Sequence, residues 1–118
     1  MNIVRHGLIL MTENYADCVA FYRDAVGLRV ANEIIVFDLG GAYLMVETGG
    51  HAQKDRKPAE ANPTKFRFNV EDVEAADQEL RDHGVAVEVM VYDWGTTAEF
   101  MDPNGNRCAL RSETGFGI

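Results

Sequence analysis

The chain opens on an apolar stretch, residues 3–12, which reads as a strand. A different period follows. Cys18, Phe21, Tyr22 and Ala25 recur at i, i+3, i+4 and i+7, so they form one stripe of an amphipathic helix. Asn14 is a suitable N-cap, Asp17 in the first turn complements the helix dipole, and Gly27 stops the helix as a C-cap does, which predicts a helix over 14–26. Residues 33–38 and 42–48 then read as the strands of a hairpin over Gly40-Gly41. Residues 49–63, rich in Gly, Lys, Glu and Pro, carry no period and read as an exposed linker.

Beyond that linker the same order of signals returns. Lys65-Phe66-Arg67-Phe68-Asn69-Val70 alternates strictly, which places Phe66, Phe68 and Val70 on a packed face and Lys65, Arg67 and Asn69 on a polar one. Asp72 caps a helix over 72–83 whose buried stripe is Val73, Ala76 and Leu80, and residues 86–92, 98–101 and 107–112 supply three further strands. The chain is therefore written twice. Residues 14–27 correspond to 72–84, and Asp38-Leu39-Gly40-Gly41 corresponds to Asp102-Pro103-Asn104-Gly105. A period of about 60 residues is too long for a solenoid unit, so two copies imply two modules related by a pseudo-twofold axis. Each module reads strand, helix, three strands, an α+β design with the helices covering one sheet face.

Composition narrows the functional classes. With 118 residues the chain suits one domain, 47% of it hydrophobic, and no apolar run reaches the length of a membrane span. A net charge of −8 argues against nucleic acid, whose phosphates require a basic face, yet leaves room for a local cationic pocket. Cys18 and Cys108 lack metal-ligand spacing and suit a reducing compartment as small buried hydrophobes. The amino terminus lacks the charged, apolar, small-residue order of a signal peptide, and a cytoplasmic location is the default expectation. No Gly-rich phosphate loop, nucleophile elbow or Cys/His pair with an orienting partner is present.

Ala20-Phe21-Tyr22-Arg23-Asp24, Val26-Gly27-Leu28, the later Asp93-Trp94-Gly95 and Asp102-Pro103-Asn104-Gly105-Asn106 stand in an order that, with the duplication, resembles the vicinal oxygen chelate superfamily. That superfamily includes glyoxalase I, bleomycin and fosfomycin resistance proteins and extradiol dioxygenases. The resemblance implies a single domain over 1–118, with modules 1–48 and 64–113 and linker 49–63. Two tandem βαβββ modules then form a curled sheet, helices on its convex face, commonly in a homodimer. It also implies four metal-ligand positions on the concave face, which fall here on Gly7, Met45, Lys65 and Ala109. None is a good divalent-metal ligand: Gly and Ala lack a donor, a thioether suits soft copper, and an ammonium must lose its proton first. His6 stands one residue off register and so on the opposite strand face, while Glu47 shares the face of Met45. His51 and His83 read as surface histidines, and Asp102 and Gly105 as turn residues.

These residues predict a metal-independent small-molecule-binding protein without a cofactor. Its site residues are Tyr43, Met45, Glu47, Lys65, Arg67, Trp94, Glu99, Met101 and Arg107, taken from strand parity together with the aromatic at the cavity rim. The expected ligand is a small organic molecule bearing an anionic or hydrogen-bonding group, because Lys65 and Arg67 present neighbouring cations. Parity also puts Ile9, Met11, Asn69, Ala109 and Arg111 on that face. Two alternatives stay open at this point. One is a divalent-metal-dependent lyase, isomerase or thiol-addition enzyme with a displaced ligand set; the other is a dimeric interaction module whose trough is closed by Glu47 and Glu99 pairing with the cations.

Overall fold

The computed structural model describes residues 1–32, 36–48, 58 and 61–117, so most of the predicted linker, His51 included, lies outside the described residues. The first module comprises β1 (His6–Thr12), α1 (Tyr15–Ala20), β2 (Arg29–Asn32), β3 (Val36–Asp38) and β4 (Ala42–Thr48). The second comprises β5 (Phe66–Val70), α2 (Val73–Asp82), β6 (Glu88–Tyr92), β7 (Gly95–Met101) and β8 (Arg107–Ser112). Each builds a four-stranded mixed sheet, in the orders β1-β4-β3-β2 and β5-β8-β7-β6. The strands thus form two four-stranded sheets, one per module, as two tandem βαβββ modules require.

The two ladders carry the repeat at residue level. Gly7 pairs with Tyr43 and Ile9 with Met45 in the first parallel ladder, and Arg67 with Ala109 in the second. The antiparallel pairs refine the repeat by one residue. Phe37 faces Leu44 as Phe100 faces Cys108, so Asp38 corresponds to Met101 in the ladder rather than to Asp102. The second turn is one residue longer, spanning 102–106 where the first spans 39–42. Gly105, at φ 76°, supplies the left-handed residue that this longer turn needs, and its N–H donates to the Asp102 carbonyl at 3.0 Å.

Strand parity assigns the faces. Phe37, Leu44 and Val46 of one sheet and Ala98, Phe100, Cys108 and Leu110 of the other are buried and belong to a single apolar cluster with Phe21, Tyr22 and Leu80. Phe66, Phe68 and Val70 pack against that cluster while Arg67 and Asn69 are exposed, as the alternation predicts. The helices therefore cover one face of each sheet and leave the other open.

Local chemistry explains both helices. Asp72 Oδ1 accepts the Ala75 N–H at 3.0 Å and caps α2 as expected. Asn14 departs from the expectation: it precedes α1 without a side-chain cap, its amide donating instead to the Pro103 carbonyl at 3.4 Å. Thr12 Oγ1 accepts the N–H of Asn14 itself at 2.8 Å. The helix then widens into one π turn, Phe21–Ala25, closed by a bond from Val26 N–H to the Phe21 carbonyl. Consecutive side chains diverge less in this wider turn, and Phe21 and Tyr22 both enter the core, edge to face with ring centroids 5.0 Å apart.

Tyr22 joins the modules. Its ring lies 6.3 Å from Phe37 of the first sheet and 6.4 Å from Phe66 of the second. Its hydroxyl donates to Asp102 Oδ2 at 2.6 Å, and Asp102 also accepts from the N–H groups of Asn104 and Asn106 and from the Asn106 amide. Replacing Tyr22 with Phe removes a buried bond to a carboxylate, and a loss of about 1–3 kcal/mol in urea unfolding is the expected result. Burial, with the negative charge forming at Cys108 and Asp102 beside it, raises the Tyr22 hydroxyl well above its ordinary 10.0. Burial and the nearby Asp102 push the Cys108 thiol from 9.0 up to about 12. The unfolded chain loses the thiol proton first as pH rises, so the thiol's contribution is complete below pH 9 and declines toward pH 12, and the Tyr22 hydroxyl acts in the same direction above its ordinary 10.0. Unfolding free energies between pH 9 and 12 should fall by about 1.4 kcal/mol per pH unit on account of the thiol, and Cys108→Ala should abolish that share.

Candidate functional site

The open face of the first sheet is mostly apolar. Ile9 and Met11 of β1 stand beside Met45 and Glu47 of β4, with Ile9 50% and Met11 43% exposed. Tyr43 lies across Gly7: a Cβ at that glycine would fall within the Tyr43 ring. Gly7 thus serves as the floor on which an aromatic side chain rests. His6 pairs with Ala42 and shares the face of Leu8 and Leu44, the opposite side from Gly7. A cavity of about 580 Å³ at this sheet's edge is lined by Arg5, Val36, Asp38 and Tyr43.

The open face of the second sheet is charged. Lys65 Nζ lies 2.5 Å from Glu99 Oε1, so one cation is neutralised across the strands. Arg107 spends its Nη2 on the carbonyls of Asn62 and Thr64, each at 3.3 Å, tying the chain before β5 to β8. Met101 is 41% exposed at the rim. Arg67 has no carboxylate partner among the described residues; its guanidinium carbon lies 5.3 Å from the Phe116 ring centroid. Glu47, on the other sheet, likewise has no ion pair among the described residues. A small crevice of about 200 Å³, lined by Ile9, Phe66 and Arg107, marks where the two sheets meet.

Around Trp94 a stack of rings and guanidinium groups covers the far end of the second sheet. Trp94 occupies the turn between β6 and β7, stacked on Tyr92 with centroids 4.8 Å apart and planes at 6°. The Arg111 guanidinium lies 4.7 Å from the Trp94 centroid and 4.6 Å from that of Phe116. Such contacts favour a cation over a ring face. The tail reaches this place because the Glu113 N–H extends the ladder to the Val70 carbonyl at 2.9 Å and Asn69 donates to Glu113 Oε2 at 2.9 Å.

Two modules with this register and an open, ligand-sized face on each sheet narrow the comparison with known proteins. Residues 4–110 match the profile of the Glyoxalase/Bleomycin resistance protein/Dioxygenase superfamily. The chain belongs to that superfamily. It is 27% identical over 113 residues to the uncharacterized protein YraH of Bacillus subtilis (strain 168), across 82% of this chain and 88% of that one. The fold is similar to TnmS3, an antibiotic binding protein from Streptomyces sp. CB03234, with TM-score 0.70 and 18% identity over 95% of this chain and 96% of that one. It is equally similar to lactoylglutathione lyase from Agrobacterium tumefaciens, TM-score 0.71 and 18% identity over 100% and 99%.

Metal-dependent members of the glyoxalase superfamily set a test that these side chains do not meet. Gly7 and Ala109 offer no donor, Met45 offers a thioether, and the Lys65 ammonium is engaged by Glu99. Among the described residues no three His, Cys, Asp or Glu side chains converge as a cation site. The predicted residues instead fall into separate groups: Tyr43, Met45 and Glu47 on the first sheet, Lys65, Arg67, Glu99, Met101 and Arg107 on the second, and Trp94 at its far turn. Sequence reasoning passed over Phe116, whose only cue is an aromatic between two glycines in the tail, and left Arg111 out of the site although parity had placed it correctly. A second cavity of about 530 Å³ lies on the helix side, among Asp17, Phe21, Asp24, His83 and Pro103, and contains Met101 alone of the predicted set.

The Gly7–Tyr43 contact yields a sharp expectation. Gly7→Ala should cost about 1 kcal/mol by displacing the Tyr43 ring. In a Tyr43→Ala background the same change should stabilise by about 0.5 kcal/mol, because alanine is better than glycine within a strand. A double-mutant cycle by urea unfolding measures the coupling.

Proposed function

We propose that this chain is a metal-independent small-molecule-binding protein that takes an organic ligand on the open sheet faces, the second sheet supplying cationic recognition and the aromatic rim apolar contact. The observation that carries this reading is the donor set: the four positions that the superfamily resemblance assigns to metal ligands hold Gly7, Met45, Lys65 and Ala109, while Arg67 has no carboxylate partner among the described residues and lies beside the Phe116 ring. Likeness of fold to an antibiotic-binding protein is compatible with it. Lys65 is already neutralised by Glu99, which leaves Arg67 and Arg111 as the cations of this face for a ligand bearing an anionic group. Tyr43, Met45, Met101 and Trp94 provide apolar surface on which most small-molecule affinity depends. Glu47 and Arg107 complete the polar lining. The protein is cytoplasmic in this reading and works as a homodimer with isologous symmetry, the exposed Ile9 and Met11 being covered by the partner subunit.

A thermal-shift screen of metabolites, followed by calorimetry on each hit, tests the reading, since a ligand stabilises the native state according to its occupancy. Arg67→Ala should weaken an anionic ligand by about 1–3 kcal/mol. Trp94→Ala should cost a comparable amount through lost apolar contact. Unchanged affinity in both variants would remove the proposed site. Zinc, nickel and iron salts should leave the melting temperature where it is; stoichiometric uptake of any of them would promote a metal-dependent lyase or isomerase instead. Sedimentation at tens of micromolar should show a dimer.

A further inference from the structure

Thr97 and Arg111 face each other across β7 and β8, and both are more than nine-tenths buried, at 7% and 8% exposure. Thr97 Oγ1 and Arg111 Nη1 are nevertheless without any hydrogen-bond partner among the described residues. A guanidinium withdrawn from water without an acceptor is costly, and cation–π contacts with Trp94 and Phe116 leave that N–H unsatisfied. Among the described residues no carboxylate pairs with Arg111 or Arg67, in a chain carrying a net charge of −8. The Phe116 ring occupies the space between these two arginines, 4.6 Å from one guanidinium carbon and 5.3 Å from the other.

Resting on the small-molecule reading above, we infer that Arg111 and Thr97 form an oxyanion subsite for a flat aromatic carboxylate whose ring takes the place of Phe116 between Arg111 and Arg67. The carboxylate accepts from Arg111 Nη1 and Thr97 Oγ1, two of the buried groups that otherwise lack a partner. The ring takes the Arg67 cation on its face, as Phe116 does in the free protein, and lies within reach of Trp94. Phe116 is a resident stand-in that the ligand displaces. Its tether suits that role: its own N–H bonds only within the tail turn, to the Glu113 carbonyl at 3.0 Å, and the intervening Thr114 and Gly115 are exposed.

Trp94 is the single tryptophan, so its fluorescence reports on this place directly. Calorimetry and fluorescence titrations with benzoate and 4-biphenylcarboxylate, against benzamide and acetate, provide the test. The aromatic acids should bind and quench Trp94, with the uncharged amide and the ringless acid weaker by about tenfold or more. Thr97→Val, which preserves shape, should weaken binding about fivefold to tenfold, whereas Thr97→Ser retains it. Arg111→Lys keeps the charge but loses the planar fork, and should weaken binding more than tenfold. Phe116→Ala should tighten binding, because the ring no longer competes. Failure of the aromatic acids to bind either the wild type or Phe116→Ala overturns the subsite. So does binding that is indifferent to Thr97→Val and Arg111→Lys; if Arg67→Ala still weakens it, small-molecule recognition stands and only this placement falls. A metabolite screen without a single hit removes the wider reading as well.

Discussion

The hydrogen bond from Tyr22 to Asp102 holds the two halves of this protein in one relation. Asp102 gathers the turn between β7 and β8 through three N–H donors, and Tyr22 brings to it the widened end of the first helix. The same ring touches Phe37 and Phe66, so one residue of the first module packs against both sheets. Burying a carboxylate is tolerable only when its acceptor sites are filled. That requirement constrains the turn, the π widening and the placing of Cys108 together.

Fixing both sheets against the helices from one side leaves their other faces open, and the two faces have diverged in chemistry. The first is apolar, with Tyr43 resting on Gly7 where a superfamily metal ligand would otherwise project. The second is electrostatic, and its charges sort themselves by reach. Lys65 finds Glu99 across the strands and Arg107 finds backbone carbonyls, while Arg67 and Arg111 are left to aromatic rings. Guanidinium groups suit this role because their planar, weakly hydrated faces stack on rings more readily than an ammonium does. A trough neutralised throughout by ion pairs would have favoured a purely structural role for this face. Among the described residues only the Lys65–Glu99 pair of that expectation is present, and Glu47 stands apart on the other sheet.

The superfamily fold itself is neutral about chemistry, since one scaffold can carry unrelated activities. This chain has no donor side chain at Gly7 or Ala109, and it carries a ring-and-arginine stack at the far end of the second sheet. Both features lie on the open faces. Neither disturbs the apolar cluster beneath, which explains how a common fold accommodates them.

Periodicity by itself determined the duplicated βαβββ order, the buried faces of β5 and α2, the cap at Asp72 and the side of the strand on which His6 lies, because each depends only on local spacing and side-chain alternation. The superfamily resemblance singled out Gly7, Met45, Lys65 and Ala109, and the repeat gave their register independently. Tertiary structure decided the rest. Asn14 makes no side-chain cap, its amide donating instead to the Pro103 carbonyl of the other module. The one-residue difference between the two turns appears only in the ladders, where Asp102 serves as acceptor for four donors instead of continuing the strand. Phe116 reaches Arg67 and Arg111 through a tail whose course no local pattern encodes. Contacts between residues far apart in the chain have no period, and those are the contacts that compose this site.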